Sequence, residues 1–332
     1  MNEADKIKYQ RLRDTFDKNF KITNLFSSLL TIYPEIITAE MVETLTEDGR
    51  ISKEEAIIAL LGEIFGLDFD NPDHRPLIRD YLTPSVRLLD AKKYENNAYY
   101  KNIPLEDIKD GNWEIRMEEY PPYKAVICHD MIINDDLSEI PPLGFFTEKF
   151  SFPAILEDGN EWMTLTPVDL DTCEEAIAEA KGRVVTFGLG LGYYAYMASE
   201  KEEVESVTVV ELSPKVISLF KEHILPKMPN RHKINIVNMD AFRYAREVMP
   251  KENFDLAFVD TWRDASDGAP MYRKMKELEP LSPNTKFLYW IENFLISRIR
   301  AENFVTIDEK IESGELKDIS YSQILKMIKE IC

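Results

Sequence analysis

The sequence predicts an α/β protein whose centre is a mostly parallel sheet with helices on both faces, preceded by a helical N-terminal region and a small β-rich segment. Two observations predict it. Beyond Thr166-Pro167, strand-like and helix-like periodicities alternate strictly, which specifies parallel strands joined by helical crossovers. The first apolar run of that half, Val184-Val185, leads directly into T-F-G-L-G-L-G-Y at 186 to 193. Three glycines at alternate positions there mark a strand passing into a helix, where the backbone needs left-handed conformations or a close approach.

Residues 1 to 105 read as a helical region, because apolar positions recur at three and four residue intervals in stretches such as Ile51 to Leu67 and Leu77 to Leu89. The segment T-L-T-E-D-G-R-I-S-K-E-E at 44 to 55 aligns with a calcium loop at Gly49, Ile51 and Glu55, yet it has Thr44 and Thr46 where the first two carboxylates belong. Ser52 with Glu55 is instead expected to be a capping box opening the next helix.

Residues 106 to 165 change texture to short β-branched and aromatic stretches, W-E-I-R-M and K-A-V-I-C, broken by Pro121-Pro122, Pro141-Pro142 and Asp158-Gly159. That pattern predicts a small antiparallel sheet of hairpins. From 166 to 332 the expectation is one sheet-and-helix domain opened by Thr166 as N-cap and Pro167 as first helical residue. Helix 168 to 180 leads to strand 183 to 187, helix 192 to 200, strand 206 to 211, helix 213 to 225 and strand 233 to 237. Helix 240 to 248, strand 254 to 259, helix 269 to 278 and strand 285 to 291 complete it. No internal repeat or low-complexity tract interrupts this order.

The 332 residues are enough for a substantial core and an enzyme. A formal charge of −20 repels DNA, RNA and anionic lipid, and no apolar run approaches the ~20 residues of a bilayer span. Cys128, Cys173 and Cys332 are an odd, widely spaced set that forms neither a disulfide framework nor a zinc site. The expectation is a cytoplasmic protein with no nucleic-acid or membrane partner, whose homo-oligomerisation the sequence leaves open.

The chemistry sits at strand ends. Glycines leaving the first strand lie at the carboxyl edge of the sheet, where ligands bind as strand order reverses. Their G-x-G-x-G spacing departs from the G-x-G-x-x-G that seats a dinucleotide. Glu211, in V-T-V-V-E-L-S at 207 to 213, ends the next strand 19 residues after Gly192, and a carboxylate there can take two hydrogen bonds from a ribose diol. Asp240, in V-N-M-D-A-F, can bond an adenine amino group beside the Ala241 amide, or cap the following helix. Asp260, in F-D-L-A-F-V-D-T-W, reaches the same edge after the fourth strand.

In this succession, residues 165 to 291 resemble the class I S-adenosylmethionine-dependent methyltransferases, with their Rossmann-like fold. The resemblance implies S-adenosylmethionine as cofactor, with Gly188, Gly190 and Gly192 along its methionine and ribose, and Glu211 and Leu212 at the ribose end. It places Asp240 and Ala241 at the adenine and Asp260 at the amino-acid tail or substrate. The family usually has an acidic residue two positions before the first glycine and an antiparallel strand pair at its end. Here Thr186 stands at the first position, and 292 to 332 shows no clear pair.

A looser resemblance is to the spermidine synthase group, which also has a β-rich segment before its nucleotide-binding domain and acidic residues after the fourth strand. D-T-W-R-D-A-S-D-G-A-P at 260 to 270 offers Asp260, Asp264 and Asp267, which would suit a cationic amine and accept its proton. The alternative reading of 263 to 270 is a solvated acidic turn before a helix. Leu189, Leu191 and Tyr193 within the glycine loop favour the methyltransferase likeness. The expected activity is methyl transfer to a small-molecule or peptide acceptor, cationic in one reading, with Asp260 and then Asp264 as acid–base candidates. Aminopropyl transfer to a polyamine and a non-catalytic nucleoside-binding module are the alternatives. E-Y-P-P-Y at 119 to 123 reads as a turn, and adjacent Cys128, His129 and Asp130 cannot converge as a nucleophile with its base.

Overall fold

The structure, a computed structural model, describes residues 1 to 331; Cys332 lies outside them. The chain divides into two compact units, one built from residues 1 to 89, 121 to 149 and those from 293 onward, the other from 90 to 120 and 150 to 292.

In the first unit, the 30-residue helix Glu3–Ile32 opens on Asn2, whose side chain accepts from the Asp5 amide at 2.8 Å. Its buried Phe16 stacks on Phe304 of helix Glu292–Glu312 at 4.1 Å between ring centres. The Ser52–Glu55 capping box is formed, with both reciprocal bonds in place, and it starts helix Lys53–Ile64. Asp130, from the C-H-D run, accepts from the amides of Asn293 and Phe294 at 2.9 and 3.0 Å. It thereby satisfies two orphan donors at a helix start.

One expectation is corrected here. Val86–Leu89, inside the region read as helical, is a strand pairing in parallel with Leu143–Phe146, which pairs antiparallel with Val126–Ile127. The short apolar run V-R-L-L after Pro84 fits either element by periodicity. The proline and a non-local partner decided for the strand.

The second unit holds two sheets. One is antiparallel, in the order Ile108–Asp110, Trp113–Tyr120, Phe150–Glu157, Asn160–Thr164. The other has five strands, all parallel, in the order Ile234–Asn238, Val204–Glu211, Gly182–Phe187, Leu256–Val259, Lys286–Tyr289. Numbered along the chain that order is 3-2-1-4-5, a Rossmann-like arrangement in which direction of growth reverses at the first strand. Val184, Val185, Val207, Val209, Ala257 and Val259 are fully buried, as expected of parallel strands covered on both faces.

Three helices differ in detail from the sequence reading. Residues 167 to 179 form two short helices, Pro167–Thr172 and Glu174–Glu179, that meet at Cys173. Pro214–Leu219 continues as a π turn over Phe220–Ile224. The helix expected from 269 starts at Ala265, because Asp264 and Asp267 form a capping box ahead of it. After Tyr289 the described residues contain no strand: Glu292–Glu312 and Tyr321–Lys329 are helices where the family resemblance would place an antiparallel pair.

Candidate functional site

The glycine loop takes its shape from the second unit's own packing. Gly188, Gly190 and Gly192 have φ of 99°, 49° and 76°, a region costly for a residue with a Cβ. A Cβ at Gly188 would lie 1.9 Å from the Asp260 carbonyl oxygen, one at Gly190 2.0 Å from the Met163 sulfur, and one at Gly192 2.2 Å from the Phe220 ring. Gly188, against a backbone carbonyl, is thus required before any ligand is considered; at Gly190 the contact is the tip of a flexible methionine and the left-handed φ is the cost. Gly188→Ala is expected to destabilise the second unit by about 4 kcal/mol, since a rigid carbonyl cannot yield. All four tryptophans belong to this unit, so tryptophan fluorescence during urea denaturation reads that loss directly.

Glu211 ends the second strand with one carboxylate oxygen accepting from the Leu189 amide at 3.0 Å and the other from the Ser213 amide at 2.7 Å. It ties the glycine loop to the neighbouring strand end. Asn238 donates to the carbonyls of Glu211 and Leu212, both at 2.9 Å, and so holds that turn from the third strand. Leu212 is 66% exposed, an apolar surface at the sheet rim. Asp240 is exposed and caps its helix through the Arg243 amide at 2.8 Å, and Ala241 is the buried first residue of that helix.

Asp260 follows the fourth strand, its amide donating to the Phe187 carbonyl at 2.9 Å. Its side chain is half-buried, and its pKa is pushed well up, first by desolvation and then by the charges of Asp169 and Glu211. Asp169 comes from the first turn of helix Pro167–Thr172, where it accepts from the Thr166 amide and hydroxyl at 2.7 and 2.8 Å. Burial raises its pKa to about 6, against the lowering effect of those bonds. Cys173 is buried nearby and its thiol is pushed up by burial and then by both aspartates.

Two connected spaces lie at this edge. An inner pocket with a cavity volume of about 20 Å³ is lined by Thr186, Gly188, Leu189, Asp169, Asp260 and Tyr193, among others. An outer cleft with a cavity volume of about 190 Å³ adds Glu161, Trp162, Thr164, Trp262 and Arg263. Met163, Asp169, Asp260 and Trp290 line both. The Met163 side chain lies against Gly190 and lines both spaces.

The structure therefore brings Gly188 and Asp260 into one pocket, with Glu211 bonded to its rim. Leu212, Asp240 and Ala241 sit along the same carboxyl edge but outside these linings. Asp264 is not in either lining: its carboxylate is held by the Ser266 hydroxyl and by the amides of Ser266 and Asp267. Those bonds, the Ser266 hydroxyl first, hold its pKa down. Asp267 in turn accepts from the Arg263 and Asp264 amides. Asp169, Met163, Trp262 and Trp290 are additions that sequence reasoning missed. The signal for Asp169 was Thr166 followed three residues on by an acid, the pattern of a capping box; nothing local marked the others.

No family model matches the chain, and no curated protein does. Among solved structures, the chain is similar to spermidine synthase from Thermotoga maritima at 14% identity and a TM-score of 0.33, over 59% of this chain and 62% of that one. A spermidine synthase in complex with the transition state analogue AdoDATO gives 14%, 0.33, 59% and 61%. A conserved hypothetical protein of Streptococcus pyogenes gives 19% and 0.25, over 30% of this chain and 60% of that one. The chain thus spans about three fifths of the length of each.

Proposed function

We propose that the second unit binds S-adenosylmethionine at the carboxyl edge of its parallel sheet and transfers the methyl group to an amine acceptor. The observation that carries this reading is the convergence, where strand order reverses, of the Gly188–Gly192 loop, Glu211 and two half-buried carboxyls whose pKa values desolvation raises. Buried carboxyls without a cation are costly. A ligand carrying an ammonium or sulfonium offsets that cost, so the residues present fit the cofactor. Asp169, beside Thr186 and Gly188, supplies from a helix the negative charge that the strand end lacks.

The sulfonium supplies an electrophilic methyl whose bonding electrons leave with the sulfur. The protein's part is to align and to exclude water. Glu211 retains a free lone pair on each oxygen for the ribose diol after serving Leu189 and Ser213. Asp169 meets the cofactor's amino group. Asp260, at the junction of pocket and cleft, orients the attacking nitrogen and takes the proton it sheds. Positive charge entering the pocket lowers the carboxyl pKa values and leaves Asp260 ionised for that role.

Asp264 and Asp267 are engaged with backbone amides, which favours methyl transfer over a polyamine site built on those two residues. Calorimetry tests the reading. S-adenosylhomocysteine is expected to bind at least tenfold more tightly than its decarboxylated counterpart. The reverse order, with putrescine binding, would establish aminopropyl transfer instead. Tight nucleoside binding without labelled methyl transfer to any acceptor in a cell extract would establish a binding module.

A further inference from the structure

We propose that the outer cleft is an alkylammonium site, in which the three tryptophans lining it face a cation and Asp260 meets its charge. The acceptor is then a primary, secondary or tertiary amine that enters as its ammonium, gives a proton to Asp260 and attacks the methyl through the lone pair so freed, a conclusion that rests on the reading of the adjoining pocket as the cofactor site. Trp162, Trp262 and Trp290, three of the chain's four tryptophans, line this one cleft. The fourth, Trp113, packs behind Trp162 with ring centres 5.2 Å apart. Trp262 is 5% exposed and stacks on Tyr289 at 6.3 Å, which fixes its ring. The indole N–H groups of Trp262 and Trp290 are buried and have no hydrogen-bond partner among the described residues. The cleft therefore combines aromatic surface and negative charge.

That combination selects a chemistry. Indole faces attract a cation by about 0.5 to 2 kcal/mol each, and more as water is removed. Buried carboxylates need a counter-charge to remain ionised. A methylated ammonium sheds its hydration more easily than a bare one, and every added methyl increases contact with the rings while the charge persists. Arg263 also lines the cleft, but its side chain is 78% exposed and pairs with Asp267 at 3.7 Å. It lies at the solvent side, where a like charge is screened.

The test uses the full chain and its tryptophan fluorescence, titrated with choline, tetramethylammonium and the uncharged isostere 3,3-dimethylbutanol. Choline is expected to give a saturable change with a Kd at least tenfold below that of the neutral isostere, with tetramethylammonium between them. Asp260→Asn should shrink the choline advantage to under threefold, and Trp162→Phe, at an exposed ring, should weaken both cations while far-ultraviolet circular dichroism and the urea midpoint stay those of the parent. Equal binding of the neutral isostere, or no saturable response to choline, overturns the site. If S-adenosylhomocysteine binds and choline does not, the cation site alone falls. If choline binds and the nucleoside does not, the cofactor reading falls.

Discussion

Glu211→Gln weakens S-adenosylhomocysteine binding by about 100-fold in the expected result, the equivalent of two charge-assisted hydrogen bonds near 1.5 kcal/mol each. The carboxylate serves two sets of donors at once: the Leu189 and Ser213 amides at 3.0 and 2.7 Å, and the proposed ribose diol. Glutamine has nearly the same shape but turns one acceptor into a donor, so an NH₂ group faces either a backbone amide or a sugar hydroxyl. Both the loop and the ligand then lose a partner. Calorimetry gives the affinity, and urea denaturation followed by tryptophan fluorescence shows how much of the loss comes from the loop. An affinity within threefold of the parent, with an intact fold, removes Glu211 from the binding site.

Asp169→Asn and Asp260→Asn are expected to move stability and turnover in opposite directions. Burial raises the Asp169 pKa from 3.8 to about 6, so the native state prefers the protonated form. The stability this group contributes is fully present below the unfolded value and is lost as pH rises from about 4 through 6. At pH 7.5 the buried charge costs about 3 kcal/mol, at 1.36 kcal/mol per pH unit between the two values. Asparagine removes the charge and keeps an oxygen for the two Thr166 donors.

The second unit of Asp169→Asn should therefore unfold at higher urea at pH 7.5, with the difference vanishing near pH 4. Asp260→Asn should behave in the same direction, since burial and two neighbouring carboxylates raise that group further. Methyl transfer should fall at least 100-fold in both, because the cationic ligand loses its counter-charge. A variant no more stable than the parent at pH 7.5, yet fully active, would show that the carboxyl is neither buried as charged nor used.

Particular residues show what was legible. The parallel sheet could be read because V-T-V-V and L-A-F-V are buried on both faces, and such strands carry their signature without reference to partners. Glu211, Asp240 and Asp260 could be placed because each terminates an apolar run, and in a parallel sheet all such ends share one edge. Asp264 could not be separated from Asp260 by spacing alone, although one caps a helix in solvent and the other is buried. The difference lies in which donors reach each carboxylate. Val86–Leu89 escaped because its partner strand is 57 residues away in register, Val86 against Leu143.

The sequence by itself determined the class of fold, the order of elements from Thr166 to Tyr289, and which residues end the parallel strands at the carboxyl edge, since periodicity and strand-end residues are local properties. Only the tertiary structure decided that Asp169 joins Asp260 beside Thr186, that Met163 stands over Gly190, and that three distant tryptophans line one cleft. Those groupings depend on close packing between segments far apart in the chain, and the burial that raises the carboxyl pKa values exists only once that packing has excluded water.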